Sequence, residues 1–416
     1  MLALHTRFER LGKLMVMSPV RVLILSWLDW THPLRGGAET YLRETASGLA
    51  GRGHDVTVLA SAYDGAPHDE ELNGVMVVRR GRFWTYGLEL PWHYRRLVKQ
   101  RGNWDVVVEY THKVPLMSPV WAGRPVVAVA HHLWGRSIFA ESPLPVALAV
   151  VGAEAMIPLI YRRVPWLAVS PSTCGDLVSR GIPRAHVTLA PNGINVAAEY
   201  PITEGAKRGG AVGPRVVWVG RVRRYKRLDM VLRAMVGVRL AVPDAHLEVV
   251  GDGPALPAAK RLAATLGLHA DAITFHGAVA DSVRDDILRR ASILVQASVK
   301  EGWGRTVLEA GAFGVPSVVA DVPGLRDAVA DGETGIVVRD VSPSRLGAAI
   351  IRLLGDDDER TRLGVGASRV SRSMGWGATI EVAERVLAQA HSSRAHLHAS
   401  VPPVGTHGTV DRILLE

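Results

Sequence analysis

The sequence predicts an α/β protein built of two Rossmann-like, doubly wound domains facing each other across a cleft. Short continuous apolar runs recur between helical stretches, a polar glycine-rich segment interrupts them once, and the rhythm then restarts. With 416 residues, of which 48% are hydrophobic and 21% charged, the chain has material for two or three ordinary cores.

Residues 20–25 open a first domain, assigned to 20–203, with an apolar run of the kind buried on both faces of a parallel sheet. A loop carrying Trp27, Trp30, Gly36 and Gly37 follows, then a helix over 39–51 closed by glycine. Further strands are expected at 56–60, 75–79, 106–109, 126–130 and 167–170. Pro191, Asn192 and Gly193, then the polar stretch 204–214, mark the link to a second domain, 204–375. Its strands are expected at 216–219, 247–250, 273–276, 293–296, 317–320 and 335–338, with a helix from about Leu228. A last helix over 376–390 follows the second sheet and is expected to pack back on the first domain. Residues 1–19 read as a leader, disordered or preceding a later start at Met15 or Met17, and 391–416 as a disordered tail.

A net charge of +9 favours anionic partners, whether nucleic acid, anionic lipid or a phosphorylated substrate. No helix-turn-helix, zinc-finger or RNA-binding signature is present, which disfavours nucleic acid. The single cysteine, Cys174, rules out an intrachain disulfide framework and a cysteine metal site, and fits a reducing cytoplasm. The most apolar stretch, 143–161, is interrupted by Glu154 and Pro158 and is short for a bilayer, so a buried or interfacial helix is expected around 146–157.

Ligands of such domains bind at the carboxyl ends of the strands, so chemistry is sought in the loops after them. Glu301-Gly302-Trp303-Gly304-Arg305-Thr306-Val307-Leu308-Glu309 joins a strand to a helix through glycines, an arrangement suited to a diphosphate at the helix start. Glu301 and Glu309 flank the turn, where one carboxylate can hold a sugar and the other a ribose. A plainer account makes Glu309 a favourable charge near a helix start and leaves Glu301 solvated. Arg221 and Lys226 follow the strand 216–219 and can neutralise a departing diphosphate; a merely solvated basic loop is the alternative. His131 and His132 end the strand 126–130, where one imidazole can meet a sugar hydroxyl. No histidine, cysteine or carboxylate spacing asks for a metal, and Asp356, Asp357 and Asp358 are expected only to cap a helix.

Gly36-Gly37-Ala38-Glu39, His131, residues 169–173, Pro191-Asn192-Gly193-Ile194, Gly220-Arg221 with Lys226, Gly251-Asp252-Gly253-Pro254, and Glu301 with Glu309 together resemble the GT4 family of glycosyltransferases. The resemblance spans about residues 20–390. It implies the GT-B architecture and a metal-independent reaction that retains anomeric configuration, with a nucleotide-diphosphate sugar as donor and no cofactor. It implies that Arg221 and Lys226 bind the diphosphate, that Glu309 binds the ribose, and that Glu301 contacts the sugar. It further implies that Gly36 and Gly37 approach the phosphates, that His131 lies by the sugar, and that Gly302, Gly304, Arg305 and Thr306 complete the donor loop. Trp303 stands where Phe is more usual, and Arg305 where a smaller or neutral residue often sits.

Arg79, Arg80, Arg82, Arg95, Arg96 and Lys99 alternate with Phe83, Trp84, Tyr86, Trp92 and Tyr94, a mixture suited to an anionic lipid surface. A solvated basic helix over core aromatics is the alternative. The resemblance to GT4 enzymes implies an acceptor-handling first domain, and with it this surface suggests a lipid or lipid-linked hydroxyl acceptor in envelope, glycolipid or polysaccharide synthesis. The expected place is the cytoplasm, peripheral to the inner face of the plasma membrane. Two rival functions keep the fold: a sugar-nucleotide epimerase or hydrolase, and a catalytically silent sugar-nucleotide-binding protein.

Overall fold

The computed structural model describes residues 18–111, 114–195 and 213–399, whose strands form two sheets, one in each half of the chain. The first half opens with β1 (Arg21–Leu25), α1 (Gly37–Gly51), β2 (Asp55–Ala62), β3 (Asp69–Leu72), β4 (Val75–Arg82) and α2 (Tyr86–Arg101). It continues with β5 (Val106–Thr111), α3 (Ser118–Trp121), β6 (Val126–Ala130), α4 (Leu144–Ala155) and α5 (Ile157–Ile160), then β7 (Trp166–Ala168), α6 (Pro171–Ser179) and β8 (Val187–Leu189). Its sheet runs β3-β4-β2-β1-β5-β6-β7-β8 and is parallel except for β3.

The second half holds β9 (Arg215–Val219), α7 (Leu228–Ala241), β10 (His246–Val250), α8 (Leu256–Thr265), β11 (Ile273–Gly277), α9 (Asp281–Arg290) and β12 (Ile293–Gln296). Then come α10 (Arg305–Ala312), β13 (Ser317–Ala320), α11 (Leu325–Ala328), β14 (Gly335–Val338), α12 (Pro343–Gly355), α13 (Asp357–Ser373) and α14 (Trp376–Ala399). The sheet, ordered β11-β10-β9-β12-β13-β14, is parallel throughout. Helices cover both faces of each sheet, which is why strands such as β1, β6 and β12 are apolar at nearly every position.

Asp356 caps α13, its carboxylate accepting from the Glu359 N–H at 2.8 Å. The chain returns to the first half at α14: Trp376, Ile380, Ala383 and Leu387 join the core built by Tyr41, Leu42 and Ala46 of α1. That return is threaded through a tight contact, since a Cβ on Gly193 would stand 2.6 Å from the Trp376 nitrogen. Thr379 Oγ1 donates to Pro191 O at 2.6 Å, and Ile194 N to Met374 O at 2.9 Å.

Three expectations change. The chain contains β3 and β8, which the apolar rhythm does not announce: β3 reads Asp-Glu-Glu-Leu on an edge, and β8 is three residues long. The turn into β4 uses Asn73 and Gly74 at φ 53° and 74°, the left-handed pair that a tight hairpin needs. The last helix does not stop at 390 but runs to Ala399. The expected leader falls, apart from residues 18 and 19, outside the described residues, as do 204–212 of the linker and 400–416 of the tail.

Candidate active site

Crevices open in doubly wound sheets where strand order reverses. Here β1 lies between β2 and β5, and β9 between β10 and β12. The loops leaving these two strands, 26–36 and 220–227, meet across the domain boundary: Arg221 Nη1 donates to Leu34 O at 3.1 Å. Burial and the neighbouring Arg223 hold the Arg221 pKa below its usual value, so its charge sits where an anion would be welcome.

The first loop is built on a buried ion pair. Asp29 is fully enclosed, and Arg79 reaches it from the middle of β4 with Nε at 2.7 Å from Oδ2. Arg79 also donates to Glu70 Oε2 at 2.8 Å and to Thr31 Oγ1 at 2.9 Å. This corrects the expectation that Arg79 belongs to an exposed basic surface, because a buried carboxylate requires a buried counter-charge. Further along, His32 Nδ1 accepts from the Leu34 N–H at 3.0 Å. Gly36 is the extended N-cap of α1, and its N–H donates to Glu39 Oε2 at 2.5 Å. Gly36 and Gly37 thus stand at a helix start, next to the loop that receives Arg221.

The second loop packs backbone on backbone. Gly251 has φ 133°, and a Cβ there would fall 1.9 Å from Gly220 O; a Cβ on Gly253 would fall 2.4 Å from Val222 O. Only glycine permits this approach. At the loop's far end Lys226 Nζ meets Glu301 Oε1 at 2.5 Å, and Ser298 Oγ donates to the same oxygen at 2.6 Å. Burial disfavours the ammonium, but the charge and hydrogen bond of Glu301, with a smaller contribution from Tyr225, outweigh burial and leave the Lys226 pKa raised.

Glu301 and Glu309 are each committed to a cation. Glu309 Oε1 accepts from Arg305 Nε at 2.9 Å, and Arg305 lies close enough to Lys226 to repel its charge. The two carboxylates therefore belong to one alternating cluster, Glu301, Lys226, Arg305 and Glu309, gathered where α10 begins. Arg305 Nη1 is enclosed without a partner among the described residues. Thr306 Oγ1 accepts from Gln296 Nε2 at 3.3 Å, tying α10 to β12. Gly304 is the N-cap of α10, and a Cβ on it would press on Ala328 at 2.8 Å.

Across the cleft, a Cβ on Gly302 would stand 2.6 Å from His131 O, so the glycine turn rests on the end of β6. The His131 ring is nearly buried, edge-on to Tyr41 of α1 at 5.1 Å. His132 instead lines an interdomain pocket with Trp134, Ser137, Tyr225, Val299 and Lys300. Lys300 clamps the two halves, donating to Leu133 O at 2.5 Å and to Asp176 Oδ2 at 3.1 Å, while Tyr225 N donates to Glu141 Oε1 at 2.7 Å. Trp303 fills the seam, buried in the core shared by Tyr41 and Trp376.

Sequence reasoning passed over Asp29, Glu39, Tyr225 and Lys300 as site residues. Glu39 was readable, being the acidic residue three places after the N-cap glycine. The others act through partners distant in sequence. Of the remaining basic residues, Arg80 is tied to Asp69 Oδ1 at 2.7 Å, whereas Arg82, Arg95, Arg96 and Lys99 are exposed. Among the described residues no helix is long and apolar enough to cross a membrane, and no group of three histidine, cysteine or acidic side chains is placed to hold a metal ion.

Two facing doubly wound domains with basic and acidic loops meeting at their switch points define a GT-B glycosyltransferase architecture. Residues 35–198 match the family described as Glycosyltransferase Family 4, and residues 212–369 that described as Glycosyl transferases group 1. A GDP-mannose-dependent alpha-(1-6)-phosphatidylinositol monomannoside mannosyltransferase of Mycolicibacterium smegmatis is 31% identical over 80% of this chain and 89% of its own. A D-inositol 3-phosphate glycosyltransferase of Thermomonospora curvata is 29% identical over 83% and 89%. The sucrose-phosphate synthase of Thermosynechococcus elongatus shares the fold, with a TM-score of 0.70 at 20% identity over 92% of this chain and 100% of that one. The chain belongs to the GT4 family and is a glycosyltransferase.

Proposed function

We propose that the chain moves a sugar from a nucleoside-diphosphate sugar to a hydroxyl acceptor, retaining the anomeric configuration and needing no metal. The observation that carries this reading is the cluster of Arg221, Lys226 and Arg305 at the interdomain seam, beside two helix starts. The donor diphosphate lies against Arg221, Lys226 and the start of α10, with the Gly36–Gly37 turn of α1 approaching from the other side. Arg305 Nη1 supplies a further donor, Glu309 holds the ribose, and Glu301, braced by Lys226 and Ser298, accepts from the sugar hydroxyls.

The acceptor hydroxyl enters on the face from which the diphosphate departs. Its oxygen bonds to the anomeric carbon as the carbon–phosphate-oxygen bond breaks, and the leaving phosphate oxygen takes the proton. The charge that builds on the diphosphate is met by Arg221 and by Lys226, whose raised pKa keeps it an ammonium. Neither glutamate forms a covalent bond to the sugar.

The Mycolicibacterium smegmatis relative is named for GDP-mannose and for a phosphatidylinositol monomannoside, which supports a nucleotide-sugar donor and a lipid-linked polyol acceptor. The exposed Arg82, Arg95, Arg96 and Lys99 then attract the anionic inner leaflet, a cytoplasmic and peripheral membrane location.

The test is transfer from radiolabelled UDP-, GDP- and ADP-sugars to a membrane extract, with chelator present and the product anomer read by NMR. A retained glycoside is expected. Free sugar or an epimerised nucleotide sugar as sole product would favour a hydrolase or epimerase instead. Lys226→Ala should lower kcat by about 10²–10³, and Glu309→Ala should raise the donor KM by about tenfold with a smaller change in kcat.

A further inference from the structure

The solvent face of α4 and α5 is wrong for water. Residues 142–161 contain one charged side chain, Glu154, and it points inward, accepting from the Trp134 and Gly135 N–H groups at 2.6 and 2.8 Å and pairing with Arg180. The inner stripe of α4 is Ala147, Val150 and Glu154. The outer face exposes Leu144 at 62%, Leu148 at 56% and, on α5, Leu159 at 74%, with Val146 and Met156 between them. A helix lying on a water-facing surface carries polar residues there, and a contiguous apolar face marks an interaction site.

The rim of this patch has one sign. Arg136 at one end and Arg162 and Arg163 at the other are exposed, and the nearby Glu141 is taken up by the Tyr225 N–H of the second domain. A second patch of the same kind lies on α2 and the turn before it: Trp84, ahead of the helix, and Leu88 are more than four-fifths exposed, Trp92 is exposed, and Arg95, Arg96 and Lys99 follow, with Arg96 over the Trp92 ring at 5.6 Å. The second patch shares a core with α5, while α4 packs on a small cluster of its own with Ile138, Ala147 and Val150. Tyr86, Leu90 and Leu97 of α2 and Ile157 of α5 pack into the same core over the same face of the first sheet, so their outer sides turn away from that sheet together.

We propose that α4 and α5 form a membrane-insertion face: Leu144, Leu148 and Leu159 enter the acyl boundary of an anionic bilayer while Arg136, Arg162 and Arg163 meet its phosphates, with the α2 stripe as a second contact. This deepens the functional reading and rests on it for the lipid-linked acceptor. The insertion face follows in the chain directly on the segment 135–140, whose Ser137 lines the interdomain pocket, so docking holds the bilayer near the cleft.

Flotation with vesicles of phosphatidylglycerol and phosphatidylethanolamine, against phosphatidylcholine alone, tests it. Wild-type protein should bind the anionic vesicles, and Leu148→Glu with Leu159→Glu should reduce binding by at least about tenfold. Because Cys174 is buried, a Leu148→Cys variant can carry a single environment-sensitive fluorophore, whose emission should shift blue on anionic vesicles. Wild-type protein that ignores anionic vesicles, a glutamate variant that binds them as wild type does, or an unshifted fluorophore would overturn the proposal. So would a wild-type dimer in light scattering that Leu148→Glu converts to monomer, since a second copy would then cover the face. Both glutamate substitutions lie outside the donor site, so the melting temperature and its rise with nucleotide sugar should match wild type. If wild-type protein bound vesicles but gained no stability from any nucleotide sugar, the functional reading would fall and the membrane face would stand.

Discussion

Protonating His32 would break the hydrogen bond that its Nδ1 accepts from the Leu34 N–H, and Leu34 is the residue whose carbonyl receives Arg221. Burial lowers the His32 pKa from its usual 6.5, and the nearby Asp29 and Glu39 only partly oppose it. The sign follows from linkage: a folded pKa below the unfolded one gives stability that is present above about 6.5 and is lost as pH falls toward the folded value. Chemical denaturation of wild type should therefore show stability falling below pH 6.5, and His32→Asn, which keeps an acceptor without the titration, should flatten that slope. An unchanged slope would remove His32 from this role. At this scale the residues named from sequence were those whose position after a strand or beside a glycine turn betrays them, such as Arg221, Lys226 and Glu301. Asp29 and Arg79 escaped because each makes sense only beside the other, fifty positions away in the chain, and an arginine among aromatics reads as surface until a buried carboxylate is seen to claim it.

The loops are shaped by glycines that cannot be replaced. Gly251 combines φ 133° with a Cβ position 1.9 Å from Gly220 O, so Gly251→Ala must move the loop that carries Arg221 and Lys226. It should cost about 2–4 kcal/mol in urea denaturation, and it should weaken nucleotide-sugar binding more than Gly267→Ala, where a Cβ meets nothing within 4 Å. Equal effects of the two would show that left-handed backbone alone, shared by both, sets the cost. Strands buried on both faces were the elements most legible in the sequence: residues 126–130, 293–296 and 317–320 are the observed β6, β12 and β13. The edge strand β3 was not, because three acidic residues in four carry no apolar signal and its pairing is fixed by the Asn73–Gly74 turn and by β4. The final helix outran its apolar pattern for a related reason: just beyond Ala390, His391, Ser392 and Ser393 are exposed and carry no apolar signal.

In the whole molecule the two domains are held by the packing of Gly193 against Trp376 and by polar contacts across the cleft. Lys300, Tyr225 and Arg221 reach from the second domain to Leu133, Glu141 and Leu34 of the first. The charged loops of both domains converge in this arrangement, at the seam between switch points where the proposed donor would bind. The most direct measurement is the melting temperature with UDP-, GDP- and ADP-sugars, for wild type and for Lys226→Ala. A ligand bound only by the native state at a hundred times its Kd adds about 2.7 kcal/mol, so at least one nucleotide sugar should raise the wild-type melting temperature by several degrees and the variant's by much less. No stabilisation of wild type by any of the three, or equal stabilisation of the variant, would contradict the donor site described above.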